Sequence, residues 1–252
     1  MDDLQKASMW KRISAFLFDG ILLSVVAVLC MFVLSGVLGY NGYAEKVNGA
    51  YTHYGEAYGV NLRMSTAEYE ALDEAGRAQV EQAFAAMNAD EESRSALGMM
   101  MEMSLVIASI GLLMGFGLME FLIPLLFKNG QTLGKKIFGL AVMHTSCVKI
   151  SGPMLFARAI LGKYAVETMV PVFILMMILF GAIGVVGPAV ILMLLILQAA
   201  VMIFTHTNSA IHDVLAKTVV VDYASQMIFD SKEALLAYKE KKHAEKAAKA
   251  MY

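Results

Sequence analysis

The sequence predicts an all-α membrane protein: four transmembrane helices, cytoplasmic N- and C-termini, a long extracytoplasmic loop and an interfacial cytoplasmic segment. Three observations carry that prediction. Of 252 residues, 58% are hydrophobic and 17% charged, where an ordinary soluble domain carries about 25% charged residues. The deficit is gathered in long stretches that are apolar all round, which suits lipid better than a water-facing helix with one polar side. Lysine and arginine are also shared unevenly among the connecting segments, as orientation in a bilayer requires.

The first apolar run, Ile13 to Leu38, follows directly on Lys11 and Arg12. At 26 residues it exceeds the ~20 that cross a hydrocarbon core. It is longer than the core of a secretory leader and contains Asp19, so a retained span is expected. The second run is Ser104 to Phe127, with Met99 to Met103 as an extension and Lys128 as its end. The third apolar region, Met169 to Phe204, is too long for one crossing. Gly181, Gly184, Gly187 and Pro188 divide it, because a residue before proline leaves helical geometry and glycine tolerates a reversal. The expected spans are therefore residues 13–38, 104–127, 168–186 and 189–205.

Three basic residues precede the first span, six lie between Lys128 and Val166 with no acidic residue, and seven follow Thr205. The loop Asn41–Gly98 has four basic residues against ten acidic ones. Four crossings place the three basic segments on one side, which the positive-inside rule assigns to the cytoplasm. In the loop, Ser65 followed by Glu68 is a capping-box signature, and Thr66 to Met87 has helix-forming composition. Tyrosines 40, 43, 51, 54 and 58 suit a membrane interface. A membrane domain over residues 1–222, with the loop 41–98 as an insertion, is thus followed by a basic cytoplasmic tail, residues 223–252. Its Lys/Glu and Ala/Leu alternation reads as an exposed helix.

Charge inside a span costs on the order of 2.5–3.5 kcal/mol at the helix centre and so calls for a role. Asp19 lies seven residues after Arg12, nearly two turns, so both fall on one helix face. Glu120 lies seven residues before Phe127 on a span running the opposite way, which puts Asp19 and Glu120 at similar depth. Two carboxylates in one low-dielectric site split their titrations. Arg12, Asp19 and Glu120 are accordingly candidates for an ion relay. The alternative is a structural network that fixes helix packing. Gly111 and Gly115 form a small-xxx-small pair that allows close helix approach.

Cys30 and Cys147 are far apart and outside any CxxC pair. The twenty methionines read as flexible filling in apolar spans rather than a copper site. His206, His212 and Asp213 fall within eight residues, but adjacent His212 and Asp213 do not make the i,i+4 pair of a helical metal site. Gly130 to Lys136 lacks the GxxxxGK[ST] ending of a phosphate loop. No nucleophile–base set is apparent, so neither an enzyme, a metal nor a cofactor is expected.

Three segments together resemble the RDD family of bacterial membrane proteins. The first runs from Arg12 to Asp19. The second runs from Gly130 to Val142 and contains Gln131, Thr132, Gly134, Lys135 and Gly139. The third runs from His212 to Val221 and supplies Asp213. The loop Asn41–Gly98 is longer than the family's usual connection. The resemblance implies a helical membrane protein of largely unassigned role, some relatives being cation/proton antiporters. Two functions follow as expectations: a monovalent cation/proton transporter, for which four spans call for a homo-oligomer, or a non-enzymatic scaffold or envelope partner with a structural Arg/Asp network. The expected partners are the lipid bilayer, a second copy of the chain and a monovalent cation or proton; nucleic acid is not expected.

Overall fold

The computed structural model describes residues 7–127, 129–179, 183–205 and 207–250; Lys6, Lys128, Gly181 and His206 lie outside them. Helix α1 is Met9–Val37, α2 Tyr40–Tyr58, α3 Thr66–Glu70 and α4 Glu74–Ala89. Helix α5 spans Glu91–Phe127, with a π-helical stretch at Gly117–Leu122. A short α6, Leu133–Ile137, leads into β1, Leu140–His144. Helix α7 starts at Gly152, is π-helical over Ala157–Met169 and continues through Val170–Leu179. Helix α8 is Val186–Phe204, α9 Ile211–Leu215, β2 Thr218–Asp222 and α10 Lys232–Ala250.

Four of these helices are long and apolar enough to cross a membrane: Met9–Val37, Glu91–Phe127, Gly152–Ile178 and Val186–Phe204. Two begin earlier than the apolar runs predict. Helix α5 starts at Glu91 rather than at Ser104, because Asp90 accepts the Ser93 N–H at 2.9 Å and Glu91 and Glu92 fill the first turn, where negative charge is favourable. Helix α7 starts at Gly152 rather than near Thr168. Pro153 opens its first turn, and its charged residues turn inward instead of ending the span.

The chain divides into two compact units. The unit of residues 29–111 holds the long segment between the first two of these apolar helices. The predicted helix over residues 66–87 is two helices, α3 and α4, each with its own cap. Ser65 Oγ accepts the Glu68 N–H at 3.3 Å while Glu68 accepts the Ser65 N–H at 2.6 Å. Asp73 caps α4 through the Gly76 N–H at 2.8 Å. Leu62, Val80, Ala83 and Met87 form the buried centre, with Tyr51, Tyr54 and Tyr58 packed against it. These tyrosines help to build the core of a small folded unit.

The second unit comprises residues 1–28 and 112–252. It departs from an all-helical fold at one place. Strands β1 and β2 pair antiparallel from Leu140 opposite Asp222 to His144 opposite Thr218. Val219, Val220 and Val221 favour an extended chain. Both faces of the ribbon are buried: Leu140, Val142 and Val220 pack with Ala7 and Ala15, while Ala141, Met143, Val219 and Val221 pack with Cys147 and Ile228. Strand β1 thus pairs with a strand far along the chain rather than with a near neighbour. Burying the ribbon anchors both motif segments beside the start of α1.

Candidate functional site

The glycine-rich segment before β1 wraps the aspartate of the first helix. Gly130 and Gly139 have φ of 61° and 67°, left-handed values that glycine adopts without strain. Gln131 donates to the Leu140 carbonyl at 2.6 Å. Thr132 Oγ1 accepts the Lys135 backbone N–H at 3.3 Å and so caps α6. The same hydroxyl donates to Asp19, whose other oxygen accepts the Gly134 N–H at 2.7 Å. A Cβ at Gly134 would sit 2.5 Å from the Ala15 carbonyl oxygen and 2.9 Å from Asp19 Cγ, so only glycine admits this approach. Lys135 Nζ donates to Thr132 Oγ1 at 3.1 Å and lies 3.7 Å from Asp19.

The second aspartate sits at a junction of arginines. Arg158 Nε donates to Asp213 Oδ1 at 2.9 Å, and Arg12 Nη2 lies 3.6 Å from Asp213 Oδ2. Thr218 Oγ1 donates to Oδ1 at 3.1 Å, and the Ala210 N–H to Oδ2 at 3.4 Å. Arg12 also donates to the Asn208 carbonyl at 2.7 Å. Asp213 thereby joins α1, α7 and the closing segment. Burial by itself would raise the Asp213 carboxyl, but the guanidinium groups of Arg158 and Arg12 overcome it and hold the group well below the usual carboxylate range.

His212 is held from both sides. Its Nδ1 lies 2.8 Å from Glu167 Oε2, and Arg158 Nη2 is 3.1 Å from its Nε2. A guanidinium only donates and a carboxylate only accepts, so the proton belongs on Nδ1 and the ring is neutral. Burial, with Arg158 adding to it against Asp213, lowers the imidazole pKa and agrees with that state.

Glu120 falls in the π-helical turn of α5 and pairs with Lys163 at 2.5 Å. Asp19 and Glu120, expected to face one another, are engaged by different lysines. Arg12, placed beside Asp19 by helix periodicity, pairs with Asp213 instead. Sequence places Arg158 and Lys163 in the basic connection, from which Asp213 can accept hydrogen bonds, but does not single out Glu167; all three lie in the π-helical part of α7. There hydrogen bonds run i→i+5, so residues four or five apart face the same way. The available signal was a basic pair followed by Glu167 in an apolar setting. These groups border a cavity of about 530 Å³ whose lining also includes Gln198 of α8.

Residues 6–217 match the RDD family. The chain belongs to the RDD family. No curated protein and no solved structure matches it. The match takes in Arg12, Asp19, Asp213 and the Gly130–Gly139 segment. It also takes in residues 29–111, so the RDD core is assembled from chain on both sides of a second compact unit. One contact in the RDD core is intolerant of a single methyl group. A Cβ at Gly162 would meet His212 Cβ at 2.6 Å and Cα at 2.8 Å. Gly162→Ala is expected to push α9 off α7 and lower stability by about 1–3 kcal/mol, read as a lower melting temperature in detergent; an unchanged melt would contradict this packing.

Proposed function

We propose that this RDD protein is a multi-pass protein of the bacterial inner membrane, both termini cytoplasmic, that exchanges a monovalent cation for protons. One arrangement supports the reading: Asp19 and Lys135 border the same cavity, 3.7 Å apart. A protonated Lys135 neutralises Asp19 from inside. Once Lys135 gives up its proton, the carboxylate calls for another positive charge, and a sodium or potassium ion can supply it. Proton and cation then compensate Asp19 in turn, which is the requirement for exchange. Burial, followed by the nearby Lys163 charge, lowers Lys135 to about 8, a value suited to proton exchange near neutral pH. Glu120 balances Lys163, and Arg12 with Arg158 balances Asp213. A four-helix pathway is thin, so a homo-oligomer is part of the proposal.

The second reading is a non-enzymatic scaffold or envelope partner. It is favoured by the fact that Asp19, Glu120, Glu167 and Asp213 each have a cationic or imidazole partner. Proteoliposomes under a pH gradient separate the two. Exchange predicts cation flux in the unaltered protein, loss of at least about tenfold in Asp19→Asn and a displaced pH optimum in Lys135→Arg. Absence of flux, or flux unchanged in Asp19→Asn, rejects exchange and leaves the scaffold.

A further inference from the structure

The cavity has two chemically different ends. Arg12, Lys135, Arg158 and Lys163 reach it from α1, α6 and α7, outnumbering the three carboxylates of the same lining, Asp19, Glu167 and Asp213. Ile13, Phe16, Leu194 and Leu195 line it from α1 and α8. Phe16 and Leu195 are 67% and 63% exposed; on apolar membrane-crossing helices such surface faces lipid. The opening is therefore sideways, toward acyl chains, with cations behind it. The lining lies near the N-terminal ends of α1 and α7 and the C-terminal part of α8, so α1 and α7 run one way, α8 runs the other, and all three meet at one membrane boundary.

The cations retain hydrogen-bonding capacity. An ammonium has three N–H groups and a guanidinium five. Glu120 takes one from Lys163, and Arg12 donates one to Asn208 while facing Asp213. Lys135 is lowered by burial and next by Lys163, so the lysines here crowd one another. Gln198 adds a complementary demand. Its Oε1 is buried and has no hydrogen-bond partner among the described residues, although it lies in the apolar helix α8 and borders the same cavity. An amide oxygen in that position calls for a donor.

A ligand satisfying all three features carries a negative charge for the cations, a hydroxyl donor for Gln198 and apolar chains for the side opening. We propose that the cavity binds the head group of an anionic, hydroxyl-bearing phospholipid of the phosphatidylglycerol kind, taken laterally from the leaflet beside the basic segments. Basic pockets between membrane helices recognise anionic head groups by this chemistry. The acyl chains lie along Ile13, Phe16 and Leu195 while the head reaches Arg12, Lys163 and Gln198. Cation exchange is not required for this site, and a null flux assay leaves it untouched.

The test uses the full chain, purified in mild detergent and melted with phosphatidylglycerol, with phosphatidylcholine of the same chains, or with inorganic phosphate. Native mass spectrometry reads retained lipid in parallel. Phosphatidylglycerol should raise the melting temperature and be retained, while the other two have little effect. Leu195→Trp, which obstructs the opening, should weaken that response on the order of tenfold with the lipid-free melt unchanged. Gln198→Leu should reduce the preference for phosphatidylglycerol over phosphatidic acid, which has no head-group glycerol. Equal shifts from the two lipids, an equal shift from inorganic phosphate alone, or a phosphatidylglycerol response indifferent to both substitutions would each overturn the proposal.

Discussion

Asp213→Ala is expected to destabilise the RDD core by about 3–5 kcal/mol, the usual cost of leaving a buried charge without its partner. Asp213 is 1% exposed, and its loss leaves Arg158 beside a neutral His212 and frees Arg12 from its carboxylate. The effect should be constant across neutral pH. The folded carboxyl lies below its ordinary value, so its stabilisation is present above the unfolded pKa of about 3.9 and is lost only as pH falls through the folded one. Replacing the pair together, Arg158→Met with Asp213→Leu, removes both charges and should recover much of the loss. Thermal unfolding in detergent gives the comparison. A double variant no more stable than Asp213→Ala would show that the ion pair is not what the single substitution removes.

Lys135 predicts a pH dependence of the opposite kind. Its pKa falls from 10.5 to about 8 on folding, so the folded chain binds this proton less readily than the unfolded one. Below about 8 both states are protonated, and the penalty for the buried ammonium is present in full. Between about 8 and 10.5 the folded lysine has lost its proton while the unfolded one still holds it. Stability therefore rises with pH through that window, by up to about 3 kcal/mol. Melting curves across the window should show an increase in the unaltered protein relative to Lys135→Met, whose difference cancels the other titrating lysines and tyrosines. A difference that falls with pH would contradict the assignment.

Much of the frame is legible from composition. Hydrocarbon demands long uncharged stretches, and each of the four helices long and apolar enough to cross a membrane overlaps one expected span, although two begin earlier. The capping residues Ser65 and Glu68 act locally, and their box forms as their spacing predicts. What local rules do not provide is pairing at a distance. Periodicity correctly places Arg12 and Asp19 on one helix, yet each is satisfied by chain more than a hundred residues away: Arg12 at Asn208 and Asp213, Asp19 at Thr132 and Gly134. Matched depth likewise proposes that Glu120 meets Asp19, but depth says nothing about which lysine turns inward. Lys163 looks like an interfacial residue until the π-helical turns of α7 rotate it toward Glu120. Strand β2 is hidden for a related reason, since Val219–Val221 can be assigned to a sheet only when β1 is known to lie beside it.

Motif segments far apart in the chain meet in one buried, mutually dependent site. A double-mutant cycle of Asp19→Asn and Thr132→Val, measured by unfolding in detergent, tests this most directly, because the two residues share a buried hydrogen bond across 113 positions. The predicted result is a coupling of about 1.5–3 kcal/mol, as for a hydrogen bond to a charged group. Effects that add to within about 0.5 kcal/mol would mean that Asp19 and the glycine-rich segment do not meet, and would contradict the site as described.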